Sequence, residues 1–127
     1  QARAGLDPGV HELLLTDSGG RILEGSSSNF FAVLDGELRT AGIGVLLGVT
    51  RGIVVRLAAA VVPVREEAVL VADLPRCREA FITSSSREVM PVVAVDGHPI
   101  GEGRPGPLTS ELARRYREHL LELAEEP

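Results

Sequence analysis

Apolar residues along this chain fall in short runs cut by Gly, Ser, Asp and Pro, and helical spacing recurs in only a few stretches. His11 to Asp17 reads as a buried strand closed by Ser18-Gly19-Gly20, and Arg21-Ile22-Leu23 starts the next strand, which delivers Glu24. Phe30 to Leu34 is apolar on both faces and predicts an interior strand. Asp35-Gly36, between Leu34 and Leu38, is a two-residue hairpin signal. A helix is expected from Thr50, where Ile53, Leu57, Ala60 and Val61 form a stripe and Arg51 and Arg56 lie off it. Val62-Pro63-Val64 returns as an edge strand, and Val69 to Leu74 makes a short helix or turn stopped before Pro75. Ala80 to Thr83 is a strand ending in Ser84-Ser85-Ser86, and Val89 to Val95 with Pro99-Ile100 flanks Asp96-Gly97 as a second hairpin. Leu108, Leu112, Tyr116, Leu120 and Leu123 mark a closing helix with Pro107 in its first turn. Residues 1–9 read as the tail of a helix, with Gly5 as its stop and Pro8 fixing the loop. Six or so strands and two helices in this order predict a mixed α/β domain, without internal repeat or linker.

Composition narrows the possibilities. The 127 residues suffice for one domain with a modest core, which with 3% aromatic content must be built from Val, Leu, Ile and Ala. A formal charge of -5 argues against nucleic acid as a partner. One cysteine, Cys77, excludes a disulfide framework and a cysteine-based metal site. Its neighbours Arg76 and Arg78 could lower the thiol pKa, yet no catalytic partner accompanies it. His11, His98 and His119 are scattered without ligand or triad spacing, so no metal is expected. No apolar run approaches a membrane span and no signal peptide opens the chain, so a cytoplasmic protein is the expectation.

The candidate chemistry lies between Glu24 and Arg51. A lone acid on a strand can meet a protonated ring nitrogen, and the helix start after Gly48 can hold a phosphate. That pairing suggests pyridoxal 5'-phosphate. Glu24, Ser26, Asn29, Phe30, Phe31, Leu38, Thr40, Leu46, Gly48, Val49, Thr50 and Arg51 fall at the spacing of the class IV aminotransferase signature. The chain resembles the C-terminal half of that family, which includes branched-chain and D-amino-acid aminotransferases and aminodeoxychorismate lyase. The resemblance implies a mixed-sheet pseudo-barrel with flanking helices, the C-terminal domain of the D-amino-acid aminotransferase-like fold, over residues 1–127.

The resemblance also implies roles. Glu24 takes the place of the acid on the cofactor's ring nitrogen, where a carboxylate keeps the proton on. Gly48, Val49 and Thr50 take the place of the helix start that contacts phosphate, and Leu46 matches a position packed near the ring. Ser85 and Ser86, aligned on Glu88-Val89 and Pro91-Val92, take the places of a hydroxyl on phosphate and of main-chain N–H groups on the substrate carboxylate. Taken alone, the serine run would be a surface turn. Asn29 braces the Glu24 loop; Arg51 completes the signature, and a helix-surface arginine is an equally good account. Arg87 reads as a solvated charge, with a place near the substrate mouth as the alternative.

The function implied is transfer of an amino group between an amino acid and a 2-oxo acid by a homodimer. The alternatives are pyruvate elimination of the aminodeoxychorismate lyase type and a non-catalytic relic. The family's reaction needs a lysine that carries the cofactor's aldehyde, and this chain has none: thirteen arginines account for the Lys+Arg total of 13. With Gln1 rather than methionine at the start, this suggests a fragment lacking the N-terminal half and inactive alone.

Overall fold

The computed structural model describes residues 1–6, 10–42, 45 and 47–125. Among them lie nine strands, β1 Ala2–Leu6, β2 Val10–Thr16, β3 Ile22–Gly25, β4 Asn29–Leu34, β5 Glu37–Arg39, β6 Val64–Arg65, β7 Glu79–Ser84, β8 Glu88–Val95 and β9 His98–Pro99. Two helices, α1 Val49–Ala58 and α2 Pro107–Glu125, and a 3-10 helix over Val71–Arg76 complete the elements.

One sheet contains all the strands, in the order β3-β2-β1-β8-β7-β4-β5-β6, with β9 on β8. It is mixed: β5 and β6 run parallel and the other pairs antiparallel. The sheet curls until its ends meet. The Ile22 N–H at the β3 end donates to the Val69 carbonyl at 2.8 Å, and the Val71 N–H to the Gly20 carbonyl at 2.9 Å. The result is a pseudo-barrel with helices packed outside, the class that the sequence predicts.

Two cores follow from this curl. Inside the barrel, Ala4, Leu6, Leu14, Phe30, Ile82 and Val92 pack with side chains from the 3-10 helix and from Ile100. Between the sheet and the helices lies a second layer, with Phe31, Val33 and Phe81 from strands against Val54, Ala58, Leu112 and Tyr116. Strand β4 feeds both, which is why all six of its residues are buried and its sequence shows no alternation. Asp35 and Gly36 adopt positive φ of 54° and 77°, the backbone that a tight hairpin between right-twisted strands requires.

Several sequence expectations are corrected. Residues 2–6 form a strand and not the tail of a helix; Pro8 lies outside the described residues. Ala2, Ala4 and Leu6 alternate inward with period two, a signal weakened by alanine and glycine, and Gly5 stops nothing: it sits at a register shift against β8. In α1, Ile53 and Leu57 of the expected stripe are half-buried against the second layer. The fully buried face, however, is Thr50, Arg51, Val54 and Ala58, and Ala60 and Val61 lie exposed beyond the helix end. Arg51 is buried because its guanidinium has partners, donating to the Ala41 carbonyl at 3.0 Å and to Glu66 at 3.1 Å. Pro75 lies inside the 3-10 helix instead of following it, and Leu123 is exposed where α2 overruns the layer beneath it.

The start of α2 is fixed by a buried acid. Glu79 on β7 accepts from the Thr109 N–H at 2.6 Å, the Thr109 hydroxyl at 2.7 Å and the Leu108 N–H at 3.3 Å. These are first-turn groups that the helix itself leaves unpaired. A Cβ at Gly106 would collide with the Glu79 side chain, so the approach needs glycine there. Glu79→Ala is expected to lower stability by about 1–3 kcal/mol, through lost charge-assisted bonds and donors left buried. Denaturant unfolding checks it; a midpoint unchanged from wild type would contradict the capping role.

Candidate functional site

A cavity of about 580 Å³ opens where three segments meet: residues 24–29 at the end of β3 and start of β4, residues 48–51 at the start of α1, and residues 83–86 at the β7–β8 turn. Glu24, half-buried at the end of β3, stands at one wall. Gly48 precedes α1 in an extended conformation, and no side chain caps the helix. The N–H groups at this end therefore carry the partial positive charge of the helix toward the cavity. A Cβ on Gly48 would lie 3.0 Å from the Asn29 Oδ1, so helix start and strand β4 approach more closely than a larger residue comfortably allows.

The sequence candidates fall as follows. Glu24, Asn29, Gly48, Val49, Thr50, Arg51, Ser85 and Ser86 all line this one cavity. Leu46 lies outside the described residues. Val49 is 82% exposed, whereas Thr50 is buried with its hydroxyl 3.3 Å from the Tyr116 hydroxyl on α2. Ser85 and Ser86 are exposed at the tip of their turn, which is closed by the Arg87 N–H donating to the Ser84 hydroxyl at 3.0 Å.

Two residues escaped the sequence reading. Thr83 is 1% exposed, lines the cavity, and its hydroxyl has no hydrogen-bond partner among the described residues. A buried hydroxyl without a partner is costly, and Thr83 is among the residues that line this cavity. Glu12, on β2, is buried and accepts from the hydroxyls of Ser26, Ser27 and Ser28 and from Arg87. Its signal was present as one acid within an apolar strand, on the face that also carries Leu14. Arg87 is correspondingly a half-buried, ion-paired residue, 3.3 Å from Glu12, and not a free surface charge.

Thr83→Val removes that hydroxyl at constant shape and is expected to act in two directions. The ligand-free protein should gain up to about 1 kcal/mol, because an unsatisfied buried group is gone, while phosphate-bearing ligands should bind several-fold more weakly. Thermal melts with and without pyridoxamine 5'-phosphate check both signs; a variant destabilised when free would place the hydroxyl's partner within the protein.

Cys77 carries no chemistry of this kind. Burial pushes its thiol up to about 11, outweighing the nearby Arg76, so the neighbouring arginines do not activate it. Among the described residues no group of three His, Cys, Asp or Glu could hold a metal ion, and no helix is long and apolar enough to cross a membrane.

Comparison with known proteins matches the geometry to a family. The family model described as amino-transferase class IV matches residues 2–95. The chain belongs to that family. A probable branched-chain-amino-acid aminotransferase of Thermotoga maritima is 36% identical over 118 residues, covering 91% of this chain and 43% of that protein. D-alanine aminotransferase of Staphylococcus aureus is 36% identical over 105 residues, covering 80% of this chain and 37% of that protein. Among solved structures, the T.th. branched-chain amino acid aminotransferase with pyridoxamine 5'-phosphate superposes with a TM-score of 0.79 at 36% identity, over 84% of this chain and 36% of that one. The chain thus spans less than half the length of each.

Proposed function

We propose that this chain is the C-terminal cofactor-binding domain of a class IV aminotransferase, which moves an amino group between an amino acid and a 2-oxo acid using pyridoxal 5'-phosphate. The observation that carries the reading is the single cavity in which an acid, an uncapped helix start and a serine turn face one another. The residues present fit the cofactor: the helix start suits a phosphate, and the Thr83 hydroxyl lacks a partner that a ligand would supply. When bound, pyridoxal phosphate supplies an electron sink for the bonds at the substrate α-carbon.

What this chain contributes is binding, orientation and one proton. The main-chain N–H groups of Val49 and Thr50, with the Ser85 hydroxyl, would hold the phosphate. Thr50 is kept in register by Tyr116, so its N–H is positioned by packing and not by its own cap. The Glu24 carboxylate would hold a proton on the ring nitrogen. Ser85 and Ser86 N–H groups would receive the substrate carboxylate, and Asn29 and Arg51 would brace the walls. A lysine on another part of the enzyme would carry the aldehyde, since this sequence has none. We further propose a cytoplasmic homodimer, as the family resemblance implies.

Relatives named as aminotransferases favour amino transfer over pyruvate elimination. The test is an assay of the enzyme that carries this domain, with 2-oxoglutarate as acceptor and a branched-chain L-amino acid or D-alanine as donor. Glutamate formation is the expected result. Pyruvate release from aminodeoxychorismate without an acceptor would favour the lyase, and the absence of both activities would overturn the reading.

A further inference from the structure

Glu12 stands outside the cavity wall, yet two of the walls are bonded to it. It lies in the middle of β2, paired with Ala4, on the face that carries fully buried Leu14. A carboxylate on a core face is unfavourable unless its oxygens are bonded, and here the donors come from two loops distant in sequence. From the β3–β4 loop come the Ser26 hydroxyl, the Ser27 hydroxyl at 3.2 Å and the Ser28 hydroxyl at 3.1 Å. From the β7–β8 turn comes the Arg87 guanidinium at 3.3 Å. The stem is as close as the head: a Cβ on Gly25 would lie 3.1 Å from the Glu12 Cγ, so the side chain packs against the backbone immediately after Glu24.

We propose that Glu12 is a positioning residue that clamps the Glu24 loop and the serine turn to one anchor, and so fixes the separation of the two ends of the site. The proposal rests on the reading of the cavity given above and deepens it. Three consequences follow from the bonding. The hydroxyls of Ser26, Ser27 and Ser28 are directed at Glu12 and are not phosphate donors. The charge of Arg87 is matched by Glu12, so the substrate carboxylate is left to main-chain N–H groups. A ligand that touches both ends depends on the clamp, whereas a ligand that touches only the phosphate end does not.

Two variants test this. Glu12→Gln keeps the volume but turns one acceptor into an amide NH₂, which cannot accept from a serine. Arg87→Gln leaves the serine bonds and cuts only the link to the turn. In the ligand-free chain, amide exchange at Gly25, Ser26 and Arg87 should quicken about tenfold in Glu12→Gln, and at Arg87 alone in Arg87→Gln. With ligand, the affinity of Glu12→Gln for pyridoxamine 5'-phosphate should fall about tenfold, and that for inorganic phosphate by less than about twofold, because only the former spans the clamp. Equal losses for the two ligands would make Glu12 merely structural, and unchanged exchange in both loops would overturn the clamp outright. Should the wild-type chain bind neither ligand, the reading of the cavity fails while the exchange data still decide the clamp. Should Glu12→Gln not fold, Arg87→Gln decides alone: a serine turn no looser than wild type overturns the proposal.

Discussion

Glu24→Gln is expected to leave the cofactor bound and to lower turnover about a hundredfold or more in the enzyme that carries this domain. The reasoning is electrostatic. A carboxylate placed before the reaction begins stabilises a proton on a ring nitrogen; an amide of the same shape has no charge with which to do so. The segments proposed to hold the phosphate, 48–51 and 83–86, are separate from Glu24 in the cavity wall, so the affinity should change far less than the rate. Steady-state kinetics beside a cofactor titration separate the two quantities. Unchanged turnover would remove Glu24 from the mechanism.

Phe81→Ala is expected to cost about 3–5 kcal/mol of stability. Phe31 and Phe81 are register partners on β4 and β7, stacked with ring centroids 4.7 Å apart and planes 9° from parallel. Both are fully buried in the layer beneath α1 and α2. With 3% aromatic residues in the chain, the layer has few side chains large enough to fill the space left behind. Urea unfolding measures the loss, and one below about 1 kcal/mol would show that this layer repacks freely.

Much of the fold was legible because β-hairpin chemistry is local. Asp35-Gly36 and Asp96-Gly97 announce their turns through residues that tolerate positive φ, and all four adopt it. Strand β4 was legible because a residue run apolar on both faces has to be covered on both. β1 was not, since Ala2, Ala4 and Gly5 carry too little hydrophobic contrast to show a period of two, and its partners β2 and β8 supply the stability. The α1 face was legible only in part, for a related reason. Ile53 and Leu57 pack as their spacing predicts, whereas Thr50 and Arg51 look solvent-bound by polarity but are satisfied inside by Tyr116, Ala41 and Glu66. At the site, the acid and the helix start were legible from their spacing. Glu12 and Thr83 were not, because their significance is a matter of which other segments surround them, and that information is created only when the barrel curls.

The central claim is that one phosphate-bearing cofactor lies across this cavity, with its phosphate on the α1 start and the serine turn. The most direct measurement is an amide-resolved NMR titration of the chain with pyridoxamine 5'-phosphate, a form that needs no lysine. The account predicts saturable shifts concentrated at Val49, Thr50 and Ser85, with a smaller set around Glu24. Shifts confined to other surfaces, or none at millimolar ligand, would contradict it.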